Sequence, residues 1–222
     1  MNYNMNMLPF STPNSSLVLS FLDLRKAIGV IGLALPFVLA LGKIILEGGG
    51  LQSSISSYYY TIMRDVFVGS LVAIGVFMTS YRGYERIDAV AGKLAAAFAI
   101  GAALFPTFPP TQANATQTLI AVLHGIFAAL LFLSLAFFSL ALFRKTNPSK
   151  TPTPQKRKRN FVYTVCGIGI VICVVFAVFL NLLPKDSFIF RLNPIFWLEA
   201  FAIVFFGISW FVKGEAILKD EV

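Results

Sequence analysis

Six long apolar segments dominate this sequence and restrict what it can fold into. Each is long enough to cross about 30 Å of hydrocarbon at a helical rise of about 1.5 Å per residue. The segments are continuous, whereas strands of a membrane barrel would alternate apolar and polar residues. The sequence therefore predicts an all-α polytopic membrane protein, a six-transmembrane-helix bundle. The predicted spans are residues 26–46, 61–81, 89–106, 119–143, 161–183 and 195–212.

The composition agrees with this class of protein. The chain has 222 residues, of which 57% are hydrophobic and 13% are charged, whereas soluble domains carry about 25% charged residues. The remainder is predicted to form an N-terminal tail (1–25), a basic loop (144–160) and a C-terminal tail (213–222). Residues 1–22 contain no lysine or arginine, so they are not predicted to be a signal peptide.

Lysine and arginine residues between the spans predict the orientation of the bundle. Thirteen lie in tails and loops on one side, and two, Lys185 and Arg191, lie on the other side. Basic residues are enriched on the cytoplasmic side of membrane proteins. Both termini are therefore predicted to be cytoplasmic. This distribution accounts for the net charge of +8, so the charge does not indicate nucleic-acid binding.

A dense basic run in the loop 144–160 has two interpretations. It consists of Lys156, Arg157, Lys158 and Arg159. The run is either a solvated topology determinant or a contact for anionic lipids, with about 1 kcal/mol of attraction per basic residue. Membrane lipids are the predicted partners, and the oligomeric state stays open.

Five ionisable side chains are predicted to lie at one depth, roughly 4–8 Å below the outer boundary of the membrane. They are Lys43, Arg64, Asp65, His124 and Glu199. Charged groups at this depth usually face the bundle interior, where they are paired or line a wet cavity. Arg64 is expected to pair with Glu199, and Asp65 with Lys43 or His124. The inner half of the bundle is expected to have no such layer.

This charged layer is either a structural clasp or an outward-facing pocket. The leading hypothesis is an outer-leaflet pocket that binds a lipid head group or similar amphiphile. The five ionisable residues would line it together with Tyr60, which belongs to an aromatic rim. Lys43 and Arg64 would bind an anionic group, since a guanidinium fork suits phosphate or carboxylate.

Catalytic residues cannot be assigned from the sequence. His124 is the candidate general base, but no nucleophile motif accompanies it. With one histidine in the chain, neither a metal site nor a cofactor is predicted. Three alternative functions stay open: a lipid-modifying enzyme (hydrolase or acyltransferase), a proton- or ion-coupled transporter, and a structural membrane partner with no ligand.

Small residues recur at helical spacing in the third span. Ala91, Ala95, Ala99 and Ala103 are four residues apart, a spacing that lets backbones approach closely in lipid. The pattern predicts that the third span is central in the bundle.

The chain resembles the loosely related six-span families that include the Frag/DRAM/Sfk group and bacterial proteins of unknown function. The resemblance covers the six-span layout, "SIS" at Ser54–Ser56, the charged start of span two, and "LHGIFAALLF" around His124. For the eukaryotic members it implies lipid remodelling and membrane lipid organisation, and for the bacterial branch it implies no particular reaction. It implies a location in the bacterial inner (plasma) membrane and assigns no catalytic residue.

Overall fold

The computed structural model describes residues 21–81, 83, 85–146, 151–184 and 186–218. These residues form six α-helices and no strand, which confirms the all-α class. The helices are α1 (Phe21–Leu46), α2 (Arg64–Thr79), α3 (Arg86–Leu104), α4 (Ala115–Phe137), α5 (Pro154–Asn181) and α6 (Pro194–Lys213). Short 3-10 helices at Ser56–Tyr60 and Phe188–Leu192 precede α2 and α6, and a π-helical turn at Phe138–Leu142 extends α4. The predicted N-terminal tail falls almost entirely outside the described residues.

Five of the helices are long and apolar enough to cross a membrane. They are α1, α3, α4, α5 and α6. The helix α2 is shorter, with 16 residues, and begins three residues later than the predicted span 61–81. The chain is therefore an integral membrane protein by the length and hydropathy of its helices.

The helices form a closed ring. Each packs against its neighbours in the sequence, and α1 packs against α6 to close the ring. We call the end where α1 begins and α6 ends the terminal end, and the other the opposite end. The prediction that the third span is central is wrong, because α3 packs only between α2 and α4 in this ring. Its small residues still allow close packing, since an added Cβ on Gly92 would lie 2.7 Å from the carbonyl oxygen of Met78.

The closest approach between α1 and α6 depends on two glycines. An added Cβ on Gly29 would lie 2.8 Å from the backbone nitrogen of Phe211. An added Cβ on Gly207 would lie 2.7 Å from the backbone nitrogen of Leu33. Each glycine therefore lets the partner backbone occupy the space that a side chain would fill.

Aromatic side chains fill the core at the terminal end. The rings of Tyr81 and Phe138 are 4.9 Å apart, and Phe143 lies 5.2 Å from Trp210 and 5.4 Å from Tyr163. These edge-on contacts join the segments that follow α2 and α4 to α5 and α6, and they favour one packing arrangement over alternatives.

The terminal end also contains buried charge, contrary to the expectation that the inner half has none. Asp88 is 1% exposed and accepts two hydrogen bonds from the ammonium of Lys145, at 3.1 and 3.3 Å. Glu85 accepts a third from the same ammonium at 3.1 Å. The sequence placed these residues in loops, but the first turn of α3 carries Asp88 into the protein interior.

The basic run is helical instead of part of a loop. Thr153 caps α5 by accepting from the backbone N–H of Lys156, and Pro154 begins the helix, where a missing N–H costs nothing. Helical periodicity then divides the run. Lys156 donates to the carbonyl of Phe143 at 2.8 Å and Arg159 to that of Leu218 at 2.8 Å, whereas Arg157 and Lys158 are exposed.

Candidate functional site

A cavity of about 830 Å³ lies at the opposite end of the bundle. This volume is within the range of about 300–1,000 Å³ found for ligand pockets. Its walls come from α4, α5 and α6, and its rim comes from the loops that follow α1, α3 and α5. Of the six residues predicted to bind a ligand, three line it: Tyr60, His124 and Glu199.

Small side chains on α4 create the space. Ala121, Gly125, Ala128 and Ala129 all line the cavity on this helix, and an added Cβ on Gly125 would meet no atom within 4 Å. The helices α4 and α5 meet near the terminal end, where Gly167 of α5 contacts the side chain of Leu140. Towards the opposite end they separate, and the cavity occupies the cleft between them.

The cavity has an apolar floor. It follows α4 from Ala121 to Phe132, about 17 Å at the helical rise. Cys173 and Val174 of α5 and Ala202 of α6 complete this inner part. A slot of this composition suits a hydrocarbon chain.

The loop after α1, residues 47–61, forms the roof of the cavity. Glu199 of α6 holds this roof in place. One of its carboxylate oxygens, Oε2, accepts from the backbone N–H of Ile55 at 2.7 Å and from that of Ser56 at 3.4 Å. These donors lie at the start of the 3-10 helix Ser56–Tyr60, where backbone N–H groups lack partners within the helix. Glu47, whose role the sequence did not indicate, acts in the same way: its Oε2 accepts from the N–H of Ile62 at 2.9 Å.

Three serine hydroxyls form a chain on the roof. The Oγ of Ser57 lies 2.7 Å from that of Ser54 and 3.1 Å from that of Ser53. Ser54 also accepts from the backbone N–H of Ser57 at 3.0 Å. All three residues line the cavity, so the roof offers hydroxyl donors and acceptors to whatever enters.

His124 is 4% exposed and faces the cavity from α4. Its Nδ1 lies 2.7 Å from the carbonyl oxygen of Phe105 and 3.0 Å from that of Ala102, at the end of α3. Since carbonyl oxygens only accept, Nδ1 carries the proton and Nε2 has the free lone pair. No described residue forms a hydrogen bond with Nε2. His124 thus caps α3 and presents an acceptor to the cavity.

Tyr60 stands at the rim. Its hydroxyl donates to the carbonyl of Thr107 at 2.7 Å, which joins the loop after α1 to the loop after α3. Burial and the neighbouring Tyr59 raise the pKa of Tyr60, although Arg64 acts in the opposite direction. The phenol therefore remains neutral at physiological pH.

The other three predicted ligand-binding residues lie outside the cavity. Lys43 is buried, but its ammonium donates to the carbonyls of Gly48 at 2.6 Å and Gly50 at 3.3 Å. It can do so because Gly48 and Gly49 adopt φ values of +82° and +73° and turn the chain back over the end of α1. Lys43 thereby satisfies two carbonyls of the loop that follows α1.

Arg64 and Asp65 are exposed at the start of α2. The guanidinium of Arg64 donates to the hydroxyl of Tyr59 at 2.7 Å and lies 4.4 Å from the centre of that ring. Asp65 is in the first turn of α2, where the helix dipole favours a negative charge.

The predicted ion pairs within the charged layer are therefore wrong. Glu199 binds backbone N–H groups instead of Arg64, and Asp65 pairs with neither Lys43 nor His124. The ion pairs among the described residues lie at the terminal end and join Lys26 to Asp23 and Lys145 to Glu85 and Asp88. Equal depth did not imply contact, because Arg64 and Asp65 face away from the interior.

Within the described part of the chain, no group of three or more histidine, cysteine, aspartate or glutamate side chains could hold a metal ion. The chemistry available at the cavity is thus that of two carboxylates, one imidazole, several hydroxyls and an apolar slot.

Comparison with known proteins gave no match to a family model, a curated protein or a solved structure. The resemblance to the Frag/DRAM/Sfk group stays a prediction from short motifs.

Proposed function

We propose that this protein binds an amphiphile in the cavity at the opposite end of the bundle, on the outer side of the membrane. The observation that supports this most directly is the division of one cavity into a polar roof and an apolar floor. The roof carries Glu47, Glu199 and the serine hydroxyls, and the floor is formed by small and apolar side chains of α4, α5 and α6. A molecule with a polar head group and a hydrocarbon chain matches both parts.

The cleft between α4 and α5 supports entry from the bilayer. Gly125, Ala129 and Val178 line the cavity and are also exposed on the surface of the bundle. A hydrocarbon chain could therefore pass between the two helices from the surrounding lipid without unfolding of either helix.

The proposed topology has six crossings and cytoplasmic termini in a bacterial inner membrane. Although α2 has 16 residues, or about 24 Å, the residues on either side and local bilayer thinning allow it to cross. The excess of basic residues on the terminal side supports the orientation. Alkaline phosphatase fused after Pro110 should be active, and the same enzyme fused after Thr146 should be inactive; the reverse pattern would contradict the orientation.

Filling the cavity tests the proposed function. Gly125→Trp would place an indole in the open space beside α4 and should abolish retention of a co-purifying amphiphile, measured by native mass spectrometry. Gly69→Trp is the matched control, since an added Cβ on Gly69 also meets no atom within 4 Å and this residue lies outside the cavity. Equal retention by both variants and the wild type would refute the proposal.

A lipid-modifying enzyme is a second candidate, favoured by the free Nε2 of His124. This nitrogen can accept a proton from a hydroxyl in the same cavity, and Ser53, Ser54 and Ser57 supply such hydroxyls. The test is incubation of the purified protein with a labelled membrane-lipid extract, followed by product analysis. Turnover that His124→Gln abolishes and Asp186→Asn leaves unchanged would support catalysis. Absence of product with the wild type would reject it.

A separate proposal concerns the basic run at the start of α5. Arg157 and Lys158 are exposed and would contact anionic lipids, whereas Lys156 and Arg159 donate to backbone carbonyls. Neutralising Arg157 and Lys158 together should reduce retention of phosphatidylglycerol, with about 1 kcal/mol lost per charge. Unchanged retention would leave the run as a topology determinant only.

A further inference from the structure

We infer that the head group admitted to the cavity carries a positive charge, as a protonated amine does. This inference rests on the proposed function, because it concerns the ligand of the same cavity. It reverses the sequence-based expectation of an anionic head group.

The first argument is the charge of the lining. The carboxylates of Glu47 and Glu199 line the cavity, and no lysine or arginine of the described residues does so. The two cations expected there are occupied elsewhere. Lys43 is bound to the carbonyls of Gly48 and Gly50, and Arg64 is bound to Tyr59. An anionic head group would therefore meet two carboxylates and no compensating side chain.

The second argument is that one oxygen of each carboxylate has no hydrogen-bond donor among the described residues. In both Glu47 and Glu199 the hydrogen bonds go to Oε2. Neither carboxylate forms an ion pair with a described residue, and Oε1 of each has no hydrogen-bond donor there. Glu47 is exposed, whereas Glu199 is partly buried on α6, and removal of the Glu199 carboxylate from bulk water is costly without a counter-charge. A bound ammonium would supply that charge and the missing donors.

The third argument comes from His124. Its Nδ1–H is committed to backbone carbonyls, so Nε2 can only accept a hydrogen bond. The side chain is more than nine-tenths buried and lines the cavity. A primary ammonium or hydroxyl could donate to this nitrogen, whereas a fully deprotonated phosphate could not.

Aromatic side chains at the rim also favour a positively charged head group. Tyr60 and Phe108 line the cavity. The face of an aromatic ring attracts a cation within about 6 Å of its centre. Two rings beside two carboxylates therefore form a surface that attracts a positively charged group.

The test compares three probes with one hydrocarbon chain: a long-chain primary amine, the matching alcohol and the matching alkyl phosphate. Binding to the purified full chain in a non-ionic detergent is followed by native mass spectrometry. We expect the amine to bind at least about tenfold more tightly than the phosphate, a difference of about 1.4 kcal/mol. Glu199→Gln should weaken binding of the amine about tenfold and leave binding of the alcohol unchanged. Glu47→Gln provides a second variant if Glu199→Gln does not fold.

The outcomes separate the two proposals. If the phosphate binds as tightly as the amine and Gly125→Trp abolishes binding of both, the charge preference is wrong and the amphiphile cavity remains. If Gly125→Trp changes the binding of no probe, the cavity proposal itself fails. An amine preference that Glu199→Gln and Glu47→Gln both leave intact would also overturn the role given to the carboxylates.

Discussion

The carboxylate of Glu199 accepts a hydrogen bond from the backbone N–H of Ile55 at 2.7 Å, across 144 residues of sequence. A second long-range contact lies beside it, since the N–H of Phe196 donates to the carbonyl of Ser53 at 3.0 Å. Together these contacts attach the loop after α1 to the start of α6. Glu199 also lines the cavity. The same side chain therefore holds the roof and faces the proposed ligand.

Replacement of Glu199 by alanine should loosen the roof. The N–H groups of Ile55 and Ser56 lose a charged acceptor, and hydrogen bonds to charged groups contribute about 1.5–3 kcal/mol. Amide hydrogen exchange of residues 53–58 should therefore be at least about tenfold faster, while exchange in α3 stays unchanged. Asp186→Ala, which removes an exposed carboxylate, is the control and should have no effect. Unchanged exchange in the Glu199 variant would show that other contacts hold the loop.

Replacement of Lys43 by methionine distinguishes a residue that stabilises the loop after α1 from a ligand-binding residue. The variant removes donors to the carbonyls of Gly48 and Gly50, so the free energy of unfolding should fall by about 1–3 kcal/mol. Binding of the cavity ligand should remain as in the wild type, because Lys43 lies outside the cavity. A loss of binding at unchanged thermal stability would restore the ligand-binding role that the sequence suggested.

The sequence grouped Lys43, His124 and Glu199 at one end of the bundle, but it could not predict the direction of their side chains. Hydropathy locates a residue along the helix axis, and in the structure these three residues contact the loops at the opposite end. The hydrogen-bond partners of each side chain depend on the loops. The two left-handed glycines after α1 bring carbonyls to Lys43, and the 3-10 helix brings N–H groups to Glu199. Sequence spacing contains no information about such turns in three dimensions.

For the small residues, too, the sequence indicated one feature and not another. The alanine row of α3 was visible as a four-residue repeat, and three of its members, Ala95, Ala99 and Ala103, are buried. Gly29 and Gly207 allow the close approach of α1 and α6, yet nothing in either helix sequence marks these two glycines as a pair. To pair them, one must know that α1 and α6 are neighbours. These two helices are the first and last in the chain, and only the closure of the ring brings them together.

Replacement of Gly207 by leucine should disrupt the contact between α1 and α6. Its new Cβ would lie 2.7 Å from the backbone nitrogen of Leu33 and 3.0 Å from the carbonyl oxygen of Gly29. Overpacking costs about 1–3 kcal/mol where side chains can adjust, and backbone atoms adjust less readily. Thermal unfolding in detergent should therefore occur at a clearly lower temperature. Gly69→Leu, in open space, is the matched control, and equal melting of the two variants would contradict the close approach.

Replacement of Asp88 by alanine should destabilise the terminal end more than replacement of Glu85. Both carboxylates accept from Lys145, but Asp88 is 1% and Glu85 65% exposed at the side chain. Desolvation lowers the pKa of Lys145, but hydrogen bonds and charges from Glu85 and Asp88 outweigh this effect and raise the pKa overall. The ammonium is thus charged at neutral pH and needs a partner.

Asp88 has a second role, since its Oδ2 accepts from the backbone N–H of Glu85 at 2.8 Å in the capping box of α3. Breaking an ion pair that has a buried member costs more than breaking an exposed pair, which contributes little to stability. Asp88→Ala should therefore lower the free energy of unfolding by several times the effect of Glu85→Ala, measured by thermal or steric-trap unfolding. If the order is reversed, the exposed carboxylate is the main partner of Lys145 and the burial of Asp88 is not stabilising.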